Sequence, residues 1–357
     1  MKQQMKSLTE LAATLEANAA AMFDYVVPSH SVSMNDDATI TVPGALDQSL
    51  ATDGGHRQIA EYTGIPAAYY DRLRTEDKPL LAKNVNRWMD DKGNERRMIR
   101  TLNGNVRALL SDRYQRIDNK EVAEVALNVL SDQRGLRVVS SAITESRLYI
   151  KAVSNDIVMP VPGSRRVGDL VEAGVMIRNS EVGSGSLSIT PFAHFLICTN
   201  GMVRDKSGMR KAHIGRKIDM DIEGILSDST RRLEDELVLR KVRDVLANAF
   251  NEQSFRKFID GLTETTQQEI TGDVNAAVEA LGPTLGLQIG ERQSVLRHLI
   301  TGGDLSRYAL INAVTRTAED VPSYDRATEL ETLGYRLMEL PQREWSAIAN
   351  AKPLQLA

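Results

Sequence analysis

At 357 residues, 42% apolar and 26% charged, the chain has the makeup of an ordinary globular protein, able to bury a sizeable core as one large domain or two. Its net charge of −4 excludes a protein that coats duplex DNA by bulk attraction, yet leaves room for a local basic groove. A single cysteine, Cys198, excludes an internal disulfide framework and predicts a reducing cytoplasm. No apolar run reaches the roughly 20 residues of a membrane span, and the early lysines are followed by no apolar signal region.

In chain order, Met5, Leu8, Leu11, Leu15 and Met22 recur at near-helical spacing and predict an amphipathic helix over 2–22. Residues 23–53 carry Pro28 and Pro43 and predict a loop with one edge strand, Thr39 to Val42. Residues 56–74 have the outline of a helix-turn-helix, with Gly64 and Pro66 at the joint. The second helix offers Ala67, Ala68, Tyr69 and Tyr70, which suit packing better than base reading. A helix around Leu80–Met89 follows, then two strands about Asn103-Gly104-Asn105, a strong hairpin signal. Asp118 or Asn119 is the expected cap of a helix over 120–131, and Arg137–Val139 with Arg147–Val153 predict a further strand pair.

Residues 173–200 predict a hairpin whose two apolar runs are bridged by Gly183-Ser184-Gly185-Ser186. Beyond it lies the densest basic stretch of the chain: Arg204, Lys206, Arg210, Lys211, Arg216 and Lys217, against the single acid Asp205. From 224 onward, apolar residues from Leu233 to Leu262 are spaced by three to five, and helices follow with breaks at Gly272, Gly282-Pro283, Gly302-Gly303 and Pro322. The expected fold class is α+β, with a mostly antiparallel sheet built of hairpins in the N-terminal half and a helical C-terminal half. The expected division is 1–55 as helix and edge strand, 56–220 as sheet-rich core with a basic loop, and 221–357 as a helical region.

Several segments in succession resemble the phage- and plasmid-associated domain of unknown function family 932. They are Leu110 to Asn119, Ile177-Arg178-Asn179-Ser180, Thr190-Pro191-Phe192, Cys198 to Met202, Arg210 to Arg216, and Tyr308 to Thr315 followed by Asp320. Many members carry Trp-Gly where this chain has Tyr308-Ala309. The resemblance covers roughly residues 56–335 and implies a mobile-element setting near DNA processing. The order of strands, helix and basic-edged strand pair is also similar, in pattern alone, to ring-forming phage single-strand annealing proteins.

Phosphate binding needs cations that reach outward, and single-strand binding adds stacking platforms. The expected nucleic-acid-binding set is therefore the six cations of 204–217, joined by Arg113, Lys151 and Arg178, with Tyr114 as an aromatic partner. Arg100 and Arg107 are further candidates, and Arg113 is placed near a helix N-terminus, which favours anions. Asp219, Asp221 and Glu223 alternate and offer an Mg²⁺ site for a nuclease. The same spacing at a helix entry is ordinary dipole compensation. His194, Cys198 and His213 lack zinc-site spacing. No GxxxxGK[ST] motif occurs and Gly183-Ser184-Gly185 lacks the third glycine of a dinucleotide fingerprint, so no cofactor is expected. The functional expectation is an oligomeric, ATP-independent protein that binds and anneals single-stranded DNA. A metal-dependent nuclease and a non-catalytic protein that blocks host defence are the alternatives.

Overall fold

The computed structural model describes residues 7–165, 168–196, 200–204, 209–211 and 228–353, with backbone alone at 209–211 and 228–232. Ser7 opens helix α1 (Leu8–Ala21) by accepting the Glu10 N–H, and Leu11 and Leu15 turn inward. The chain then runs into β1 (Met22–Pro28), followed by the short strands β2 (Ser33–Met34), β3 (Ile40–Val42) and β4 (Leu46–Ser49). Three helices come next: α2 (Asp53–Thr63), α3 (Ala67–Glu76) and α4 (Lys78–Lys92). The hairpin β5 (Arg96–Leu102) and β6 (Asn105–Ser111) turns at Asn103-Gly104, both at positive φ, as expected. β1 pairs antiparallel along the whole of β5, making a three-stranded sheet where a loop was expected.

The larger sheet follows α5 (Asn119–Asp132). Its strands are β7 (Leu136–Ile143), β8 (Leu148–Pro160), β9 (Leu170–Asn179), β10 (Leu187–Phe195), β11 (Gly201–Val203) and β12 (Met209–Lys211). They lie in the order β11-β10-β9-β8-β7, with β12 also on β10, and every ladder is antiparallel. Helices α6 (Asp228–Ala247), α7 (Glu252–Thr266), α8 (Val274–Leu285), α9 (Ile289–Gly302), α10 (Arg307–Arg316), α11 (Tyr324–Met338) and α12 (Gln342–Ala349) complete the described chain. The expected α+β class is the observed one. The expected break at Gly282-Pro283 falls inside α8 instead. Pro283 sits in its last turn, and the helix stops at Gly286 with φ of 68°.

Alternation along the strands gives the six-stranded sheet two unlike faces. On one, Ile150, Val175, Ile177, Leu187 and Ile189 share a core with α1, α5 and α6. The same face continues through Val171, Ala173, Ala193 and Phe195 into the core of α7 to α12. The opposite face carries Tyr149, Lys151, Glu172, Arg178, Thr190, Phe192 and His194, and α11 leans over it. The cores therefore do not follow the expected divisions. One core unites residues 32–109 across position 55, and another joins strands to helices across position 220.

The helical half is fastened to the sheet by buried polar bonds. Tyr308 donates to Asp169 at 2.7 Å, and the Asn200 amide donates to Thr315 on α10. Buried Arg307 donates to the carbonyls of Leu337, Met338 and Leu340, satisfying the frayed end of α11.

Candidate nucleic-acid interface

The turn between β9 and β10 bonds to α2, β5, β6 and the start of α5. Buried Glu181 accepts from Arg107 at 3.2 Å with one oxygen and from the Asn119 N–H at 2.8 Å with the other. Its backbone carbonyl accepts from Arg100, which also binds Asp24 at 2.8 Å and Asp118 at 2.7 Å. Asn179 donates to the Ile117 carbonyl and to Asn119, and Gln58 of α2 donates to the Val182 carbonyl. Ser180 donates to the Ser146 carbonyl and accepts the Ser184 N–H. Small residues make the turn, but long-range partners hold it.

This network corrects several expectations. Arg100 is 1% exposed and its charge is stabilised, because Asp118 and Asp24 outweigh burial and hold its pKa above the usual value. Arg107 is spent on Glu181. Neither reaches outward. Tyr114 is a buttress, not a stacking platform. Its hydroxyl donates to the Ser180 carbonyl at 2.9 Å and accepts the Gly183 N–H, and burial pushes its pKa up. Arg113 is exposed in the turn just beyond β6, away from the larger sheet's strands in sequence. The N-terminus of α5, its expected phosphate site, is already occupied by the Glu181 carboxylate. Asp118 holds the N-cap position, but its side chain turns to Arg100.

Lys151 is likewise corrected. It is 4% exposed, 2.5 Å from Glu331, and lies over the rings of Phe192 and Tyr324 at 5.5 and 5.0 Å. Burial opposes its charge, but the Glu331 carboxylate overrides that and the pKa rises. A lysine so enclosed cannot meet a strand in solvent. Arg165 pairs with Glu269 at 2.7 Å, while Arg166 lies outside the described residues.

What the structure does bring together is a row across the larger sheet. Arg178 of β9 stands opposite Ser188 of β10, and Ser188 stands opposite Arg210 of β12. Tyr149 of β8 faces Arg178 from the other side. Two strand spacings, about 10 Å, separate the Arg178 and Arg210 backbones. The expected basic loop thus contains a strand, and Arg210 and Lys211 join the sheet beside Ser188 and Leu187. Arg204 follows β11, half-buried, with its guanidinium 5.0 Å from the Phe258 ring centre. Lys206, Arg216 and Lys217 lie outside the described residues, as do Asp219, Asp221, Glu223, Cys198 and His213. Among the described residues no three His, Cys, Asp or Glu side chains are grouped to hold a metal. His194 instead bonds Glu172 at 2.8 Å, which Arg137 also clasps.

Sequence reasoning missed a pocket of about 150 Å³ between the polar face of this sheet and α11. Phe192, in its floor, lies across two glycines. A Cβ on Gly174 would come 2.9 Å from its ring, and one on Gly201 would collide with it. Tyr324 and Glu331 face the pocket from α11, and Tyr324 meets Ser140 at 2.5 Å. The sequence offered only a weak signal: Tyr324, Ala327 and Glu331 share one helix face by their spacing of three and four.

No family model, curated protein or solved structure matches this chain. No helix among the described residues is long and apolar enough to cross a membrane.

Proposed function

We propose that the chain binds single-stranded DNA through its phosphates at the β12 edge of the larger sheet, and promotes annealing without ATP. The observation that supports this reading is the register Arg178–Ser188–Arg210, which ties the middle of the densest cationic segment to the sheet. Cations mounted on a sheet edge track a phosphate backbone and leave bases free to pair. The burial of Arg100, Arg107 and Lys151 takes them out of the candidate set and leaves segment 204–217 as the supply of cations this reading draws on. A mobile-element setting and self-association belong to the same reading. Leu233 and Leu237, one turn apart on α6 and 64% and 51% exposed, offer apolar surface for a second copy.

The test is annealing of two complementary, fluorophore-labelled oligonucleotides with no nucleotide or metal added. The full-length protein should accelerate duplex formation, and Arg210→Gln with Lys211→Gln should remove most of the acceleration. An unchanged rate with the parent protein contradicts the proposal.

A further inference from the structure

The helix-turn-helix outline at residues 56–74 is left over from the strand-binding reading, and the fold completes it. Such an outline becomes a reading module when a third helix holds the pair and the second helix shows a free face. Both conditions are met. The third helix is α4, which packs on α2 and on α3. Ile59 of α2, Ile65 of the turn, Leu73 of α3 and Val85 of α4 share one core. The turn between α2 and α3 is only Gly64-Ile65-Pro66, and Gly64 stops α2 with φ of 72°. Two polar bonds fix α3 against α2: His56 meets the Tyr70 hydroxyl at 2.9 Å, and Arg74 pairs with Asp53 at 2.8 Å. Asn86 in turn ties α4 to β2, accepting the Met34 N–H and donating to the Met34 carbonyl.

Sequence reasoning packs Ala67, Ala68, Tyr69 and Tyr70 inward; of the four, only Tyr70 is buried. Ala68, Tyr69, Arg72 and Thr75 are exposed and share one face of α3 by their spacing of three and four. Small alanines at the start of a helix let it approach a groove floor closely. A methyl group suits the thymine methyl, and an arginine suits the paired acceptors of guanine. Arg72 meets Glu76 at 2.8 Å, but both side chains are mostly exposed, so solvent weakens the pair and a better partner displaces it. Arg57 of α2 and Lys78 at the start of α4 are exposed, and no ion pair among the described residues holds either. Residues 53–92 carry seven cations and seven acids, so base contacts rather than bulk attraction must supply the affinity.

We infer that α3 enters the major groove of duplex DNA and reads its sequence, with Ala68 and Arg72 meeting base edges and Arg57 and Lys78 meeting phosphates. The first turns of a reading helix are the part that reaches the bases, while the preceding helix crosses the backbone. This site does not rest on the strand-binding reading: the β12 edge grips the phosphates of one strand, whereas α3 reads paired bases.

Repeated selection of duplexes with a randomised central sequence on the full-length protein tests this. One sequence motif should be enriched, and the protein should bind that duplex at least about tenfold more tightly than a scrambled one. Arg72→Ala should weaken the selected duplex by about tenfold and the scrambled one little. Ala68→Glu sets a carboxylate against the groove and should abolish the preference. Both positions are exposed, so the circular dichroism spectrum and the rate of single-strand annealing should stay at the parent's values. No enriched motif, equal binding of the scrambled duplex, or a preference kept in folded Ala68→Glu overturns the inference. Arg210→Gln with Lys211→Gln separates the two sites and should spare the duplex preference. A preference lost in that variant but kept in Arg72→Ala overturns the inference too. Annealing with no duplex preference overturns the inference and leaves the strand reading standing. A duplex preference without annealing does the reverse.

Discussion

Two groups of arginines in this protein look alike in sequence and are placed differently in the fold. Around Glu181, Arg100 and Arg107 are buried, each facing a carboxylate and a backbone carbonyl. Across the larger sheet, the backbones of Arg178 on β9 and Arg210 on β12 fall in one row, and Arg210 lies within a segment, 204–217, of six cations and one acid. The difference is where the acids are. Asp24, Asp118 and Glu181 stand 76, 18 and 81 residues from Arg100 and reach it only in the folded chain. Local charge density marks a cation as available; distant acids decide whether it is.

The largest effect should come from breaking the sealed group. Arg100→Met leaves Asp24 and Asp118 without their buried partner and should cost about 4 kcal/mol in urea unfolding. A cost below about 1 kcal/mol would mean that the junction is solvated and the comparison fails. Next comes the Lys151–Glu331 pair. Lys151→Met or Glu331→Leu alone should each cost about 3 kcal/mol, whereas the double variant should recover most of that loss. Additive losses would contradict the account of Lys151 as an internally neutralised cation.

A smaller effect concerns pH. His56 bonds the Tyr70 hydroxyl at 2.9 Å, and burial, helped by Arg74, lowers its pKa to about 4. The folded state thus prefers neutral imidazole. Its contribution is whole above the unfolded pKa of about 6.5 and is lost as pH falls from there toward about 4. About 2 kcal/mol should disappear over that window, and His56→Gln should flatten the profile. The smallest effect on stability belongs to the edge. Arg210→Gln with Lys211→Gln should change unfolding by no more than about 0.5 kcal/mol.

Local signals made the hairpins, the α5 span and the α+β class legible. Asn103-Gly104 forces its turn, and strand alternation survives in β8 to β10 because one face is a core. What escaped depended on pairing at a distance. β1 follows directly on α1 and reads as a loop until β5, some 70 residues later, supplies its partner. Lys151 reads as a surface cation because Glu331 lies 180 residues away. Tyr114 reads as a stacking residue, yet its hydroxyl fastens the β9–β10 turn, as do the polar atoms of Asn179 and Ser180 from the family-like segment. The pocket is the meeting of a sheet face with a helix from the far end of the chain, and neither announces the other.

The claim at the centre is that the edge cations grip phosphates while the sealed ones do not. Titrating salt against the affinity of a fluorescent single-stranded oligonucleotide tests it most directly. Log affinity should fall linearly with log salt, and Arg210→Gln with Lys211→Gln should shallow the slope by about 0.7 for each cation removed. An affinity indifferent to salt, or a slope unchanged by those two substitutions, would contradict the account.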